Sequence, residues 1–210
     1  MTAILGLNAY HGDAAAALVV DGVLVAAAEE ERFTRVKHAA GFPERAAAWC
    51  LADTGLSPDD LDHVAIGRDP RANLAAKLRQ LARRRPSASY VAARLRNAAS
   101  VRGSRDRLAD ALGAEKLRAT FHAVEHHRAH VASAFLVSPF DEAAVLSVDG
   151  FGDFASTMLA EGHGHRYEVL DEADRARHMT TNTAGKSKDC NWSHGPCSCF
   201  ACHRTYSPYF

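Results

Sequence analysis

Residues 5–30 read LGLNAYHGDAAAALVVDGVLVAAAEE. An apolar strand opens the stretch, and a short loop, Tyr10-His11-Gly12-Asp13, follows it. Two further apolar runs flank the dipeptide Asp21-Gly22. A two-residue hairpin turn needs positive φ at both central positions, which Asp and Gly tolerate, so the pattern predicts strand, loop and β-hairpin. A second stretch repeats it. Residues 146–172, LSVDGFGDFASTMLAEGHGHRYEVLDE, give a strand, a loop of Gly and Asp, and a hairpin turning at Gly162–Gly164. Asn8 matches Asp149, and Asp13 matches Asp153 with one residue fewer in the second loop.

Two readings of the repeat stand side by side. It is a chance likeness of two β-hairpins, or a duplicated fold whose equivalent loops face one cleft. Glycine in such loops lets backbone N–H groups approach an anion, and consecutive amides form a phosphate nest. A carboxylate at a strand end can hold a metal or polarise water. Paired loops of this kind are the architecture of the actin and sugar-kinase group of nucleotide-binding folds. No GxxxxGK[ST] P-loop occurs in the chain.

The 210 residues predict one domain, or one and a part. Apolar residues make up 47% and the formal net charge is zero, so neither disorder nor a global pull toward nucleic acid or membrane follows. No apolar run is long enough to span a bilayer, and the N-terminus lacks a signal-peptide pattern, so the expected location is cytoplasmic. A helix is expected from Pro43 through ERAAAWCLADTG, ending near Gly55, with Cys50 as a small buried hydrophobe. Residues 68–118 carry 14 Lys/Arg against 4 Asp/Glu. They read as a solvated helical insertion. An anion- or nucleic-acid-binding surface is the alternative, but only Tyr90 offers a ring for base stacking.

Between the two repeats lies EHHRAHVASAF, residues 125–135. On a helix, His126 and His130 share one face with Cβ atoms about 6 Å apart, while His127 projects about 100° away. The zinc-protease HExxH motif requires Glu directly after the first histidine, and here that residue is His127. The pair alone reads either as metal ligands or as ordinary helix-surface residues. Asp149, at the expected end of the next strand, adds a carboxylate. Two histidines and a carboxylate with open positions suit Fe(II), Mn(II) or Zn(II) without discriminating among them.

The stretches ILGLNAYHGDAAAALVVDGVLVAAAEEERFTRVKHAAGFP and HHRAHVASAFLVSPFDEAAVLSVDGFGD resemble the O-carbamoyltransferases of the NodU/CmcH family, over roughly residues 3–55 and 120–160. The resemblance implies an α/β, actin-like (ASKHA) fold of duplicated ribonuclease H-like halves, with the first half complete here and the second only begun. It implies an ion of the iron type, held by His126, His130 and Asp149. It also implies a reaction in which carbamoyl-adenylate is made from carbamoyl phosphate and ATP in a further domain. The carbamoyl group then passes to a hydroxyl of a sugar or natural-product acceptor. On that reading His11 contacts the reacting group, Lys37 and Asp13 line the substrate site, and Gly12, Gly150 and Gly152 admit phosphate to the backbone. For His11 a loop-capping role, and for Lys37 a solvated charge run, are the alternatives. The related TsaD-like proteins, which transfer threonylcarbamoyl to tRNA, offer a second functional reading. The wording EEERFTRVKH and SVDGFGD fits the small-molecule branch better, and a membrane or nucleic-acid partner is not expected.

The family pattern is expected to stop near residue 172. The segment 173–210 is rich in Cys, Ser, Thr and His, and reads either as a frameshifted tail or as a small metal knuckle of Cys197, Cys199, Cys202 and His203. The knuckle would give a third, non-enzymatic reading as a metal-binding module, but its spacing is not that of a zinc ribbon. A chain ending there is expected to be inactive alone and to leave an apolar sheet face uncovered.

Overall fold

In a computed structural model of the protein, the structure describes residues 1–10, 12–75, 77–78, 99–101, 103–152 and 155–173. The chain divides into two compact units, residues 1–129 and 130–210.

The first unit is built on a five-stranded sheet. Its strands are β1 (Ala3–Asn8), β2 (Ala15–Val20), β3 (Val23–Glu29), β4 (His63–Ile66) and β5 (Thr120–Ala123), in the order β3-β2-β1-β4-β5. β1, β2 and β3 pair antiparallel, whereas β4 and β5 run parallel to β1. The β2–β3 turn forms as expected: Asp21 has φ 48° and Gly22 φ 83°. Parallel pairing of β1 with β4 requires a crossover, which carries α1 (Glu31–Thr34) and α2 (Glu44–Thr54). α2 ends where the sequence places its stop, with Gly55 left-handed at φ 71°. Its start depends on distant residues. Glu30, at the end of the hairpin, is buried, and its carboxylate accepts the N–H groups of Arg45 and Ala46 at 3.2 and 2.8 Å. A negative charge there also suits the helix dipole.

Between β4 and β5 the described chain forms α3 (Ser104–Leu112), capped by left-handed Gly113. Residues 79–98, the centre of the basic insertion, lie outside the described residues. Alternation along β1, β2 and β4 turns Leu5, Leu7, Leu18, Val64 and Ile66 to one face. They pack in one core with Ala46, Ala47, Cys50 and Leu51 of α2 and Leu108 of α3. Cys50 is fully buried, as its sequence context predicts; burial and, to a lesser degree, the charge of Asp53 push its thiol up.

The second unit holds an antiparallel meander of β6 (Glu142–Gly152), β7 (Ala155–His163) and β8 (Arg166–Ala173). The β7–β8 turn falls at Gly164, φ 58°, beside the register pair His163 and Arg166. A helix, α4 (His126–Phe135), precedes the meander, and the division between units falls within it. Its Val131 and Phe135 bury against Val145, Met158 and Ala160. The architecture is thus a mixed α/β fold with a partly parallel sheet. No helix among the described residues is long and apolar enough to cross a membrane.

Candidate functional site

The opening loop is held in a contorted path. Tyr10 and Asp13 are non-glycine residues at φ 64° and 59°. Such conformations cost about 1–3 kcal/mol each and persist only where the surroundings enforce them. Here several bonds do so. Tyr10 N–H donates to the Gly41 carbonyl at 2.6 Å, and Ala14 N–H to the Ala39 carbonyl at 2.9 Å. Arg68 donates to the Tyr10 carbonyl at 2.9 Å, and the Asn8 side-chain amide to the Asp13 carbonyl at 2.9 Å. The Tyr10 hydroxyl lies 2.8 Å from the Ser100 carbonyl oxygen, which accepts its proton. The segment 39–41 therefore lies directly against loop 10–14.

That apposition brings an unexpected partner. The Asp13 carboxylate lies 2.8 Å from Nδ1 of His38, with both side chains more than half exposed. His38, at φ 53°, has its own N–H donated to Glu31 Oε2 at 3.2 Å. The sequence pointed to Lys37 and not to its neighbour. Lys37 is exposed on the same segment. Nothing local marks His38, because its role depends on a partner 25 residues earlier. Gly12 is exposed, and a Cβ added there would meet nothing within 4 Å. Its position is open to an incoming group. His11 and Asp153 lie outside the described residues.

The histidine cluster resolves into distinct roles. Glu125 is buried and caps α4: its two carboxylate oxygens accept the N–H groups of His127 and Arg128 at 2.9 and 2.8 Å. These are groups that a helix start leaves without an intrahelical acceptor. His127 is fully buried, so its ring is part of the packing. His126 is half-buried and His130 exposed, one helical turn apart. Within the second unit, His130 Nε2 lies 3.7 Å from Asp149 Oδ2, each side chain about half accessible. Two donors on one ion with bonds of about 2.1 Å can lie no more than about 4.2 Å apart. The His130–Asp149 separation fits within that limit, and the imidazole–carboxylate donor set suits a borderline dication.

Asp149 sits differently from expectation. The strand does not end at Asp149-Gly150; β6 continues through Gly152, which pairs with Ala155. The ladder is irregular between Val148 and Gly152, so Asp149 and Gly150 lie on an interrupted stretch of strand. A bulge of this kind re-aims side chains next to a site. Gly150 is thus a strand residue within the irregularity and Gly152 the one at which pairing resumes.

Residues 3–179 match the family described as Carbamoyltransferase N-terminus. An uncharacterized protein of Synechocystis is 40% identical over 175 residues, 79% of this chain and 28% of that protein. Nodulation protein NolNO of Sinorhizobium fredii is 38% identical over 163 residues, 78% of this chain and 23% of NolNO. The chain thus spans about a quarter of the length of these relatives. Among solved structures, YeaZ from Pseudomonas aeruginosa superposes with a TM-score of 0.45 at 14% identity, over 83% of this chain and 67% of YeaZ. By the extent of the family match, this chain belongs to the carbamoyltransferases, as a member of their N-terminal family.

Proposed function

We propose that this chain contributes the acceptor-side site of an O-carbamoyl transfer. The donor is carbamoyl-adenylate, formed from carbamoyl phosphate and ATP, and the acceptor is a hydroxyl of a sugar or other natural product. The observation that carries the reading is the His130–Asp149 apposition, with His126 one turn ahead on the same helix, inside a family-matched segment. The fold supports it. Three antiparallel strands followed by two parallel ones, in the order β3-β2-β1-β4-β5, are the layout of a ribonuclease H-like half. The second unit's helix and three-stranded meander would open a second such half, as in the actin-like group.

A bound dication, Fe(II) in this proposal, supplies Lewis acidity toward a phosphate or carbamoyl oxygen. His126, His130 and Asp149 would hold it. The remaining chemistry falls to the chain. The acceptor oxygen bonds to the carbamoyl carbon, the bond from that carbon to the phosphate oxygen breaks, and AMP leaves. The acceptor's proton passes to a base, for which His11 is the candidate. The pinned loop around Gly12, Asp13 and the exposed Lys37 would position the donor, since fixed donors spare reorganisation during reaction. Gly150 and Gly152 would let the backbone of β6 approach the phosphate.

Anaerobic equilibrium dialysis with Fe(II) tests the ion site. Stoichiometric binding should be lost in His130→Ala and Asp149→Ala and weakened in His126→Ala. Binding that survives in the chain carrying all three substitutions overturns it.

A further inference from the structure

A second pair of histidines meets elsewhere in the first unit. β4 and β5 are parallel neighbours, with His63 opposite Thr120 and Ala65 opposite His122. Val64 of β4 is fully buried in the core. Side chains alternate along a strand, so His63 and His122 share the opposite, accessible face as a diagonal pair. His63 is half-buried and His122 exposed. Their rings lie edge to face with centroids 5.1 Å apart, and His63 Nδ1 stands 3.2 Å from His122 Nε2.

We propose that His63 and His122 form a cross-strand, two-histidine site for a borderline transition-metal dication of the zinc or copper type. The geometry carries the assignment. Two imidazole nitrogens on one tetrahedral zinc, with bonds of about 2.0–2.1 Å, are separated by about 3.3 Å. The observed 3.2 Å matches that spacing with the rings already turned toward each other. In the metal-free pair one facing nitrogen carries the proton of a hydrogen bond. Binding needs that ring to move its proton to its other nitrogen and both rings to tilt so that their lone pairs converge on the ion. Imidazole is a favoured ligand for zinc and copper, and water completes the coordination of such an open site.

The position gives the site a purpose. Among the described residues β5 is the last strand of the sheet, and a strand at an edge is held from one side only. Two residues beyond its end lies Glu125, which caps the histidine-bearing helix α4. An ion bridging β4 and β5 would pin the strand that delivers that helix.

The test uses the whole chain carrying His130→Ala, Cys197→Ser, Cys199→Ser and Cys202→Ser, which takes one histidine from the first site and three cysteines from the tail as competing ligands. Imidazole resonances are followed by NMR during titration with zinc chloride. The signals of His63 and His122 should shift together along one saturable curve, and the joint shift should vanish in His63→Gln and in His122→Gln. Metal-free melting temperatures matching the parent would confirm that the sheet remains intact in each variant. The proposal is overturned if the two rings follow separate curves. It is equally overturned if they respond no more than exposed His38 and His163, or if either substitution leaves the other ring's response unchanged. Because His130 is already absent, these outcomes do not depend on the Fe(II) site.

Discussion

Glu125 explains why three histidines can cluster at a helix start without competing for the same role. Its carboxylate accepts the N–H groups of His127 and Arg128 in the first turn, so no histidine is needed as a cap. Glu125→Ala removes both acceptors from a buried place and should cost about 1–2 kcal/mol, read as a lower melting temperature. Asp60 acts similarly on a smaller scale. Its carboxylate accepts from the Ser57 hydroxyl and N–H at 2.6 and 2.8 Å, which holds its pKa below the usual carboxylate value. A group whose pKa is lowered by folding stabilises above its unfolded pKa and loses that contribution as pH falls through the folded one. The stability difference between the native chain and Asp60→Asn should therefore be present at neutral pH and fade in acid. A difference that grows on acidification would contradict the assignment. Cys50 gives a chemical check: burial raises its thiol, so iodoacetamide should label it only after unfolding, as followed by peptide mass spectrometry.

At the scale of elements, close packing of α4 on the meander depends on one missing side chain. A Cβ at Gly162 would stand 2.5 Å from ring carbons of Phe135, closer than such contacts allow. Phe135 is buried against the strands and has little room to yield. Gly162→Ala should cost about 1–3 kcal/mol through overpacking, measured by chemical denaturation. Gly12→Ala is the contrast. That position is open, so stability should change little while any effect on substrate binding remains. The elements also show how a site loop is built. β1 ends, Tyr10 and Asp13 turn into left-handed conformations, and segment 39–41 pins the result through two backbone bonds.

For the whole molecule, the second unit leaves an apolar sheet face accessible. Leu146 and Val148 on β6, Leu159 on β7 and Leu170 on β8 are each between 38% and 64% exposed. Leu146 and Leu159 are register partners, so they form a contiguous patch. Patches of that kind promote association. Leu146→Lys should reduce aggregation, followed by light scattering, while changing stability by no more than about 0.5 kcal/mol. A large loss of stability would show that the residue is buried in solution.

What the sequence determined by itself is mostly local. The Asp21-Gly22 turn, the helix stop at Gly55 and the buried Cys50 follow from φ preferences and hydrophobic period, which need no distant partner. The long motifs around His11, His126, His130 and Asp149 were enough to point to the family that the match over residues 3–179 then showed. The tertiary structure decided the pairings across chain separation. Glu30 capping α2, His38 on Asp13, and His63 against His122 join residues 15 to 59 positions apart. For the two histidines, proximity follows from the connection that lays β5 parallel beside β4, and no local propensity encodes which side chains meet in any of the three pairs. The continuation of β6 through Asp149 has the same origin. Pairing with β7 carries a Gly-rich segment into the ladder, although its composition alone reads as a loop.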